Sequence, residues 1–320
     1  MARALTNQGD LFSLIDSPLL ADVRGERTVA EFPFFALSKN KQLEPMVFEA
    51  GDVRIEISAS KYGIATIYDK EILLYIASLM TDMKERGERV DRTIRFTAHD
   101  LFRVTGTNSS KRSYEYFVDA LRRLRGTMIE TNIITGGERE ETNFSWLDHF
   151  RIVYTEPKHG EKRVKHVELT LCDWLFRAVL RDRRIATYDL GYFALAPIER
   201  RLYELALFNC TDEEPLVLSL ERVARLIGCP TNPTRLRAIR KDISRIAEQD
   251  VLPEFLISIE NEKIATAGRP RLETMVRFHQ RPSGKKRRLT HERPPTITTM
   301  DPEVPEAELH YLESEDALAS

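Results

Sequence analysis

The sequence has few of the residues that build crosslinks and metal centres. Its three cysteines, Cys172, Cys210 and Cys229, lie far apart and are odd in number. No disulfide framework or cysteine zinc site is therefore predicted, and a reducing cytoplasm is favoured. The seven histidines form no His-x-His or His-x-x-x-His pair, which argues against a metal-dependent nicking enzyme. We expect neither a metal nor a cofactor.

Long apolar runs and phosphate-binding loops are absent as well. No stretch approaches the roughly eighteen uninterrupted apolar residues of a membrane span, and the N-terminus has no signal-peptide core. No Gly-rich loop ends in Lys-Ser or Lys-Thr, which excludes a P-loop ATPase or helicase. A tyrosine nucleophile stays open, although Tyr114 and Tyr203 fall at core positions of predicted helices. We expect a cytoplasmic protein that touches no membrane, has no catalytic residue and is not an enzyme.

Basic residues are missing from one end of the chain. The 320 residues hold 48 Lys and Arg against 50 Asp and Glu, a net charge of −2. Residues 301–320 carry seven acids and no Lys or Arg, so the remainder has 48 basic and 43 acidic residues and a net charge of +5. The basic run Lys285 to Arg288 fits either a phosphate-binding arm or a solubilising linker. We expect the acidic tail to compete with phosphate for basic faces and so to limit non-specific binding of nucleic acid.

Hydrophobic periodicity predicts one arrangement of elements twice along the chain. After a strand at 53–59, the first copy has helices over 69–86, 97–106 and 109–125, and a hairpin of strands 128–134 and 143–154. The second has helices over 196–208, 219–228 and 233–248, and strands over 255–259 and 274–278. Three helices followed by a β-hairpin are typical of a winged helix-turn-helix domain.

The two copies match without a gap when the first is shifted by 122 residues. Thr97 then falls on Ser219 as a helix cap, and Gly106 falls on Gly228 as a helix stop. Any two amphipathic helix pairs show some match, but the coincident caps and glycines favour a true repeat. We predict an α+β fold of two tandem winged helix-turn-helix domains with flexible N- and C-terminal tails. The boundaries are 1–28 (tail), 29–184 (first domain), 185–281 (second domain) and 282–320 (basic-then-acidic tail).

A helix that reads DNA needs an outward face rich in Arg or Lys, because phosphates supply affinity and Arg reads guanine. Opposite the apolar stripe of the helix at 233–248 lie Thr234, Arg237, Lys241, Ser244 and Arg245, with Arg235 and Arg240 on the flanks. An ordinary solvated basic face is the alternative.

The corresponding face of the first copy mixes basic and acidic residues. Arg112, Arg122 and Arg123 alternate there with Glu115 and Asp119, which repel phosphates. We therefore predict that the second domain is the main DNA reader. The first domain is expected to make weaker backbone contacts or a protein interface.

The predicted hairpin of the second domain offers a minor-groove contact. Gly268-Arg269-Pro270-Arg271 fits an extended segment that places Arg269 and Arg271 in an A·T-rich minor groove. A plain turn explains these four residues equally well.

Five blocks of the sequence form a pattern that we recognise. The blocks are FPFFALSK at 32–39, GIATIYDKEILLYIASLM at 63–80, the stretch 94–132, FSWLDHF at 144–150 and YDLGYFALAPIERRLYELA at 188–206. They resemble the plasmid replication initiator protein A family and, more loosely, other winged-helix initiators of plasmid origins. Together they cover roughly residues 30 to 260. Ala196-Pro197 stands where this family pattern leads us to expect a Gly-rich turn.

The resemblance implies a function. Such proteins bind repeated double-stranded sites (iterons) at a plasmid origin, help to open an adjacent A·T-rich region and recruit host initiator and helicase-loading proteins. They commonly repress their own gene, and a homodimer in equilibrium with a monomer commonly controls initiation. The alternatives are a winged-helix transcriptional repressor without a replication role, and an origin nickase or primase.

A short motif near the N-terminus points to a further partner. Gln8-Gly9-Asp10-Leu11-Phe12 resembles the pentapeptide that binds the bacterial sliding clamp. Leu11 and Phe12 would enter an apolar pocket, and Gln8 would form a hydrogen bond at its rim. The alternative is a polar tail with two isolated apolar residues.

Overall fold

The computed structural model describes residues 19, 22–38, 40–135, 141–155, 163–182, 184–211, 214–264 and 271–282, and these form a mixed α/β fold. None of the described helices is long and apolar enough to cross a membrane. The clamp-like motif (Gln8, Asp10, Leu11 and Phe12), Arg269, the basic run and the acidic tail lie outside the described residues.

Eight described α-helices carry the fold. They are α1 Arg27–Glu31, α2 Lys70–Glu85, α3 Ala98–Thr105, α4 Lys111–Gly126, α5 Asp173–Arg177, α6 Pro197–Asn209, α7 Leu220–Leu226 and α8 Pro233–Gln249. A π-helical turn, Ala178–Asp182, follows α5, and a 3-10 turn, Leu190–Ala194, precedes α6. Pro197 is the first residue of α6, a position that proline suits because its missing N–H has no helical partner.

Twelve described strands form four antiparallel sheets. They are β1 Arg24–Glu26, β2 Met46–Ala50, β3 Val53–Ser58, β4 Thr93–Phe96, β5 Met128–Thr131, β6 Thr142–Phe144, β7 Leu147–Thr155, β8 Arg163–Leu171, β9 Ile185–Thr187, β10 Leu216–Ser219, β11 Phe255–Ile264 and β12 Arg271–Gln280. The sheet orders are β1-β9, β2-β3-β5-β6, β4-β8-β7 and β10-β12-β11.

Two units of the chain share one topology. In the first unit (α2, β4, α3, α4, β7, β8) and in the second (α6, β10, α7, α8, β11, β12), a strand before the helix pair joins the edge of a later hairpin. The predicted caps are confirmed: the Thr97 hydroxyl accepts from the Asp100 N–H, and the Ser219 hydroxyl accepts from the Arg222 N–H. Gly106 and Gly228 both adopt positive φ, 70° and 79°, after their helices. The predicted repeat is therefore matched in the backbone from β4 to α4, whereas β5 and β6 stand before the hairpin of the first unit alone among the described elements.

The hairpin predicted for the first copy is wrong in its second strand. The stretch 143–154 divides between β6, which pairs with β5, and β7, which pairs with β8. The division falls at Trp146, which is fully buried and stacks on Phe35 with ring centroids 5.0 Å apart. The chain passes through the core at this point and so leaves one sheet for the next. Strand β8, which was not predicted, pairs with both β4 and β7 in the sheet of the first unit.

The two units are joined by a shared core and by paired strands. The buried apolar residues form one cluster from Leu19 to Phe278. Strand β1 pairs with β9, so the chain before the first unit lies against the chain that leads into the second. The boundary drawn at residue 28 falls inside α1, and the one drawn at 184 directly precedes β9.

Charged side chains are buried where the units meet. The Lys70 ammonium of α2 lies 2.6 Å from the Glu204 carboxylate of α6, and Arg201 lies 2.6 Å from the other oxygen of that carboxylate. Arg201 also donates to the carbonyls of Glu31 and Leu226. Burial lowers the pKa of Lys70 to about 8, against the opposing effect of Glu204. Removing one partner of such a cluster leaves a buried charge unpaired, so the cluster fixes the relation between the units.

Candidate nucleic-acid interface

Helix α8 is oriented by its cap and its apolar stripe. The Asn232 side chain accepts from the Arg235 N–H at 3.0 Å, and Pro233 occupies the first helical position. Ile239, Ile243 and Ile246 are buried against the second unit. Their spacing turns the opposite face of the helix outward.

The outward face of α8 is basic. Thr234, Arg235, Arg237, Arg240, Lys241 and Arg245 are exposed, and Ser244 is half-buried. Within the described part of the chain, the side chains of Arg235, Arg237 and Lys241 form no hydrogen bond or ion pair. The structure thus brings the seven residues selected on α8 onto one accessible surface.

Two other cations of α8 have weak partners. Arg240 donates to the Asn261 side chain of β11 at 3.3 Å. Arg245 donates to the Gln249 side chain at 3.0 Å and lies 4.0 Å from Asp242. These contacts are exposed, and such contacts contribute about 0–1 kcal/mol, so phosphate competes with them readily.

Strands β11 and β12, of ten residues each, form a hairpin beside this face. Asn261 accepts from both Arg240 and Thr274, which ties the hairpin to α8. Arg277 pairs with Glu262 across the hairpin. Arg271, selected from the sequence, is the first residue of β12. It therefore lies at the end of the hairpin where β11 leads into β12.

Helix α4 presents a different surface. Arg112 donates to the Tyr116 hydroxyl at 2.7 Å and lies 5.2 Å from the centroid of that ring. Arg122 lies 2.9 Å from Asp119. Two of the three arginines selected on α4 are therefore exposed but engaged with neighbours on the same helix.

Arg123, the third arginine of α4, points into the protein. Its guanidinium donates two hydrogen bonds of 2.7 Å to Asp69, which is 3% exposed. The hydrogen bond that Arg123 donates to Asp69 raises the pKa of Arg123 above its usual value, although burial opposes this effect. The side chain of Arg123 is 22% exposed and fixes the start of α2 against α4. The helical pattern did not reveal this partner because Asp69 lies 54 residues away in sequence.

A cavity of about 680 Å³ lies beside α4 and was not anticipated. It is bounded by α4, α3 and the segment 61–69, with Lys61, Tyr62, Phe102, Tyr116 and Arg123 among its lining residues. The available sequence signals were the Lys61-Tyr62 pair after β3 and a tyrosine on the outward face of α4.

The described residues were also searched for a metal site and for a tyrosine with a catalytic setting. No group of three or more His, Cys, Asp or Glu side chains within the described ranges is arranged to hold a metal ion. Tyr203 is fully buried, and Tyr114 packs edge-on against Phe102 at 5.0 Å, so both lie at the core positions that were predicted. Burial is the main cause that raises the pKa of Tyr203, and the hydrogen-bonded Glu254 carboxylate adds to it.

Comparison with known proteins identifies the family. Residues 24–257 match the family described as Replication initiator protein A. A curated "Putative replication protein" of Wigglesworthia glossinidia brevipalpis is 31% identical over 249 residues, which cover 77% of this chain and 88% of that protein. The chain belongs to the Replication initiator protein A family. The resemblance inferred from the sequence blocks is confirmed.

Two solved structures are similar to this chain to different degrees. The crystal structure of domains 2 and 3 of RctB matches with a TM-score of 0.52 and 15% identity, over 77% of this chain and 94% of that one. The Pi initiator protein, solved in complex with iteron DNA, matches with a TM-score of 0.45 and 12% identity, over 68% of this chain and 92% of that one. The likeness to RctB concerns the fold alone.

Proposed function

We propose that this replication initiator binds directly repeated double-stranded sites at a plasmid origin through its second unit. The observation that carries the proposal is the outward face of α8, where Arg235, Arg237 and Lys241 are exposed and form no hydrogen bond or ion pair with another described residue. A cationic helix face of this kind supplies phosphate contacts and guanine contacts together. Membership of the Replication initiator protein A family supports origin DNA as the ligand of that face.

Each unit is proposed to act as a winged helix-turn-helix. The α7–α8 pair, with its tight turn at Gly228, has the form of the helix-turn-helix, and the β11–β12 hairpin has that of the wing. Arg237, Lys241, Ser244 and Arg245 then face the major groove, while Arg235 and Arg240 meet flanking phosphates. The wing would carry Arg271 toward the neighbouring minor groove.

The remaining proposed activities follow from origin binding. The protein opens an adjacent A·T-rich region by binding and deforming DNA, without a catalytic residue, and represses its own gene by occupying the same kind of site. It acts in the cytoplasm, recruits host initiator and helicase-loading proteins, and exchanges between monomer and homodimer.

The proposal is tested with α8 variants on DNA flanking the protein's own gene. Footprinting with wild type should reveal directly repeated sites beside an A·T-rich stretch. Arg237→Ala and Lys241→Ala should each weaken binding to those repeats by roughly 5- to 150-fold, because each removes a base or phosphate contact. Arg54→Ala is the matched control, since Arg54 of β3 is a 65% exposed arginine outside α8. Wild-type affinity in both α8 variants would show that α8 is not the reader.

Plasmid maintenance separates an initiator from a repressor. A small plasmid that carries only the origin should persist with wild-type protein and be lost with the Arg237→Ala, Lys241→Ala double variant. If the wild type binds the sites but never supports maintenance, the protein is a repressor. A nicked product from supercoiled origin DNA would instead reveal an enzyme.

Clamp recruitment has its own test. The double variant Leu11→Ala, Phe12→Ala should lose co-purification with the host sliding clamp, because the two side chains are proposed to fill its apolar pocket. A change of Gly9 to Ala is the matched control. Undiminished co-purification of the double variant rules the motif out.

A further inference from the structure

The last described residues of the chain lie beside the end of helix α8. Arg281 follows β12, and its guanidinium donates to the Asp250 carboxylate at 3.0 Å and to the Leu252 carbonyl at 3.1 Å. Asp250 is the C-terminal cap of α8. The residues that follow Pro282 are therefore attached at the C-terminal end of this helix.

This point of attachment brings the acidic tail at 301–320 within reach of α8. Helix α8 has 17 residues and is therefore about 25 Å long. The eighteen residues 283–300 separate the tail from the attachment, and a chain of that length spans up to roughly 60 Å. The tail can thus meet any position along the helix.

The tail and the outward face of α8 have complementary charges. Helix α8 carries five Arg and Lys residues against two Asp and Glu. Its side chains Arg235, Arg237 and Lys241 are exposed and form no hydrogen bond or ion pair with another described residue. The tail has no Lys or Arg, and its seven acids are Asp301, Glu303, Glu306, Glu308, Glu313, Glu315 and Asp316.

Cations on other surfaces are already engaged. On α4, Arg122 lies 2.9 Å from Asp119, and Arg112 donates to the Tyr116 hydroxyl. Five exposed arginines elsewhere in the described ranges also lie beside a carboxylate, namely Arg54, Arg86, Arg92, Arg151 and Arg225. An acid of the tail has to displace those partners, whereas on α8 it meets cations without an ion pair. The charges therefore favour α8 over these surfaces.

We propose that residues 301–320 dock on the outward face of α8 in the same chain and occupy it until DNA displaces them. The docking does not depend on what else α8 binds. Its regulatory consequence, a helix masked by the chain's own tail, rests on the proposed function.

The masking lowers each duplex affinity by one factor, because the tail and DNA compete for the same face. A tether gives a binding segment an effective concentration of about 1 mM. A tail that binds α8 with a Kd of about 0.1 mM then weakens DNA binding about ten-fold. Non-specific Kd values are typically about 10⁻⁴–10⁻⁶ M and specific ones about 10⁻⁸–10⁻¹¹ M. This loss therefore frees the protein from random DNA while the origin repeats stay occupied.

The docking is tested on the full chain without DNA. A carbodiimide couples a carboxylate to a nearby lysine amine and takes up the water that is released, and Lys241 is the one lysine of α8. Mass spectrometry of the digested protein should show Lys241 joined to an acid of residues 301–320. Lys241→Arg keeps the charge and is the matched control that should lose this product.

The other coupling products overturn the inference. A tail joined to Lys285 or Lys286 and not to Lys241 means that it pairs with the adjacent basic run. In a mixture of isotopically labelled and unlabelled protein, a Lys241 product that always joins two chains means that the tail docks on a second copy.

The masking is tested with a variant in which the seven acids of the tail become Asn or Gln, which keeps the length of the chain. Fluorescence anisotropy should show about ten-fold tighter binding to a random duplex and to the duplex repeats, with the ratio of the two affinities unchanged. In the Arg237→Ala, Lys241→Ala background the same neutralisation should have a much smaller effect, because the docking face is damaged. An equal gain in both backgrounds means that the tail acts through its overall charge, and the docking on α8 is then wrong.

Failure of the inference and failure of the proposed function give different results. Without a Lys241 product the inference is wrong, even if the protein binds its repeats through α8. If the Lys241 product forms but wild type does not bind the repeats, the docking holds and the proposed function is wrong.

Discussion

Helices α4 and α8 occupy the same place in two copies of one arrangement, but two of their corresponding outward positions carry opposite charges. With the offset of 122 residues, Glu115 corresponds to Arg237 and Asp119 corresponds to Lys241. The backbone, the caps and the buried stripe are alike, whereas the two central outward positions are reversed in sign. The two helices share one scaffold, so a difference in what they bind would arise from a few outward side chains.

At a third pair of corresponding positions the residues have the same charge, but their side chains have different surroundings. Arg123 and Arg245 are both arginines at the same offset, but Arg123 is bound to buried Asp69 while Arg245 is exposed beside Asp242. One arginine therefore joins α4 to the start of α2, and the other has exposed contacts on its own helix. An identical residue in a repeated helix does not imply an identical role.

Reversing the charges at the corresponding positions of α8 and α4 should have the largest effect on DNA binding. The double variant Arg237→Glu, Lys241→Glu should lose more than about 100-fold in affinity for the duplex repeats, because two contacts become repulsive. The reciprocal variant Glu115→Arg, Asp119→Lys should gain non-specific duplex affinity and show a steeper salt dependence. Gel shifts at several salt concentrations measure both. Loss of repeat binding in the reciprocal variant, with normal binding by the first, would exchange the roles of α4 and α8.

The two corresponding arginines, Arg123 and Arg245, should differ in how much they contribute to stability. Arg123→Ala should lower the free energy of unfolding by about 3 kcal/mol, because it leaves the Asp69 carboxylate buried without its cation. Arg245→Ala should change that free energy by no more than about 0.5 kcal/mol, as expected of an exposed residue. Urea denaturation compares the two. Equal and small losses would show that the Asp69 pair does not stabilise the first unit.

The corresponding helix caps Thr97 and Ser219 should contribute equally to the stability of the protein. Thr97→Ala and Ser219→Ala each remove one hydrogen bond to a helix N-terminus and should each lower the free energy of unfolding by about 1 kcal/mol. The same denaturation experiment checks this. A loss in one variant without the other would mean that the repeat does not extend to its local energetics.

The local features of the fold could be predicted from sequence, because they depend on neighbouring residues. The helix at 69–86 and the helix at 233–248 were each placed within two residues of the structure, and the caps Thr97 and Ser219 were identified by their spacing. Six of the seven residues selected on α8 are exposed and the seventh, Ser244, is half-buried, since helical periodicity determines which side faces outward. Their contact with DNA stays a prediction.

Features that depend on distant pairing could not be predicted. Strand β8 and the pairing of β1 with β9 bring together segments whose sequences carry no mark of each other. The same holds for the Asp69–Arg123 pair, which changed the interpretation of an arginine on α4. The cavity was missed because the segment 61–69 and helix α4, which both line it, are far apart in sequence.

The buried cluster of Lys70, Arg201 and Glu204 has a consequence for the DNA. Because Lys70 of the first unit pairs with Glu204 of the second, DNA bound at α8, as we propose, would meet the first unit at a constant distance and a constant rotation. DNA turns once in about 10.5 base pairs, so the proposal requires the repeats and the region to be opened to keep a fixed helical phase. Inserting about half a turn of DNA between them would place that region on the far side of the duplex, and inserting a whole turn would bring it back into phase.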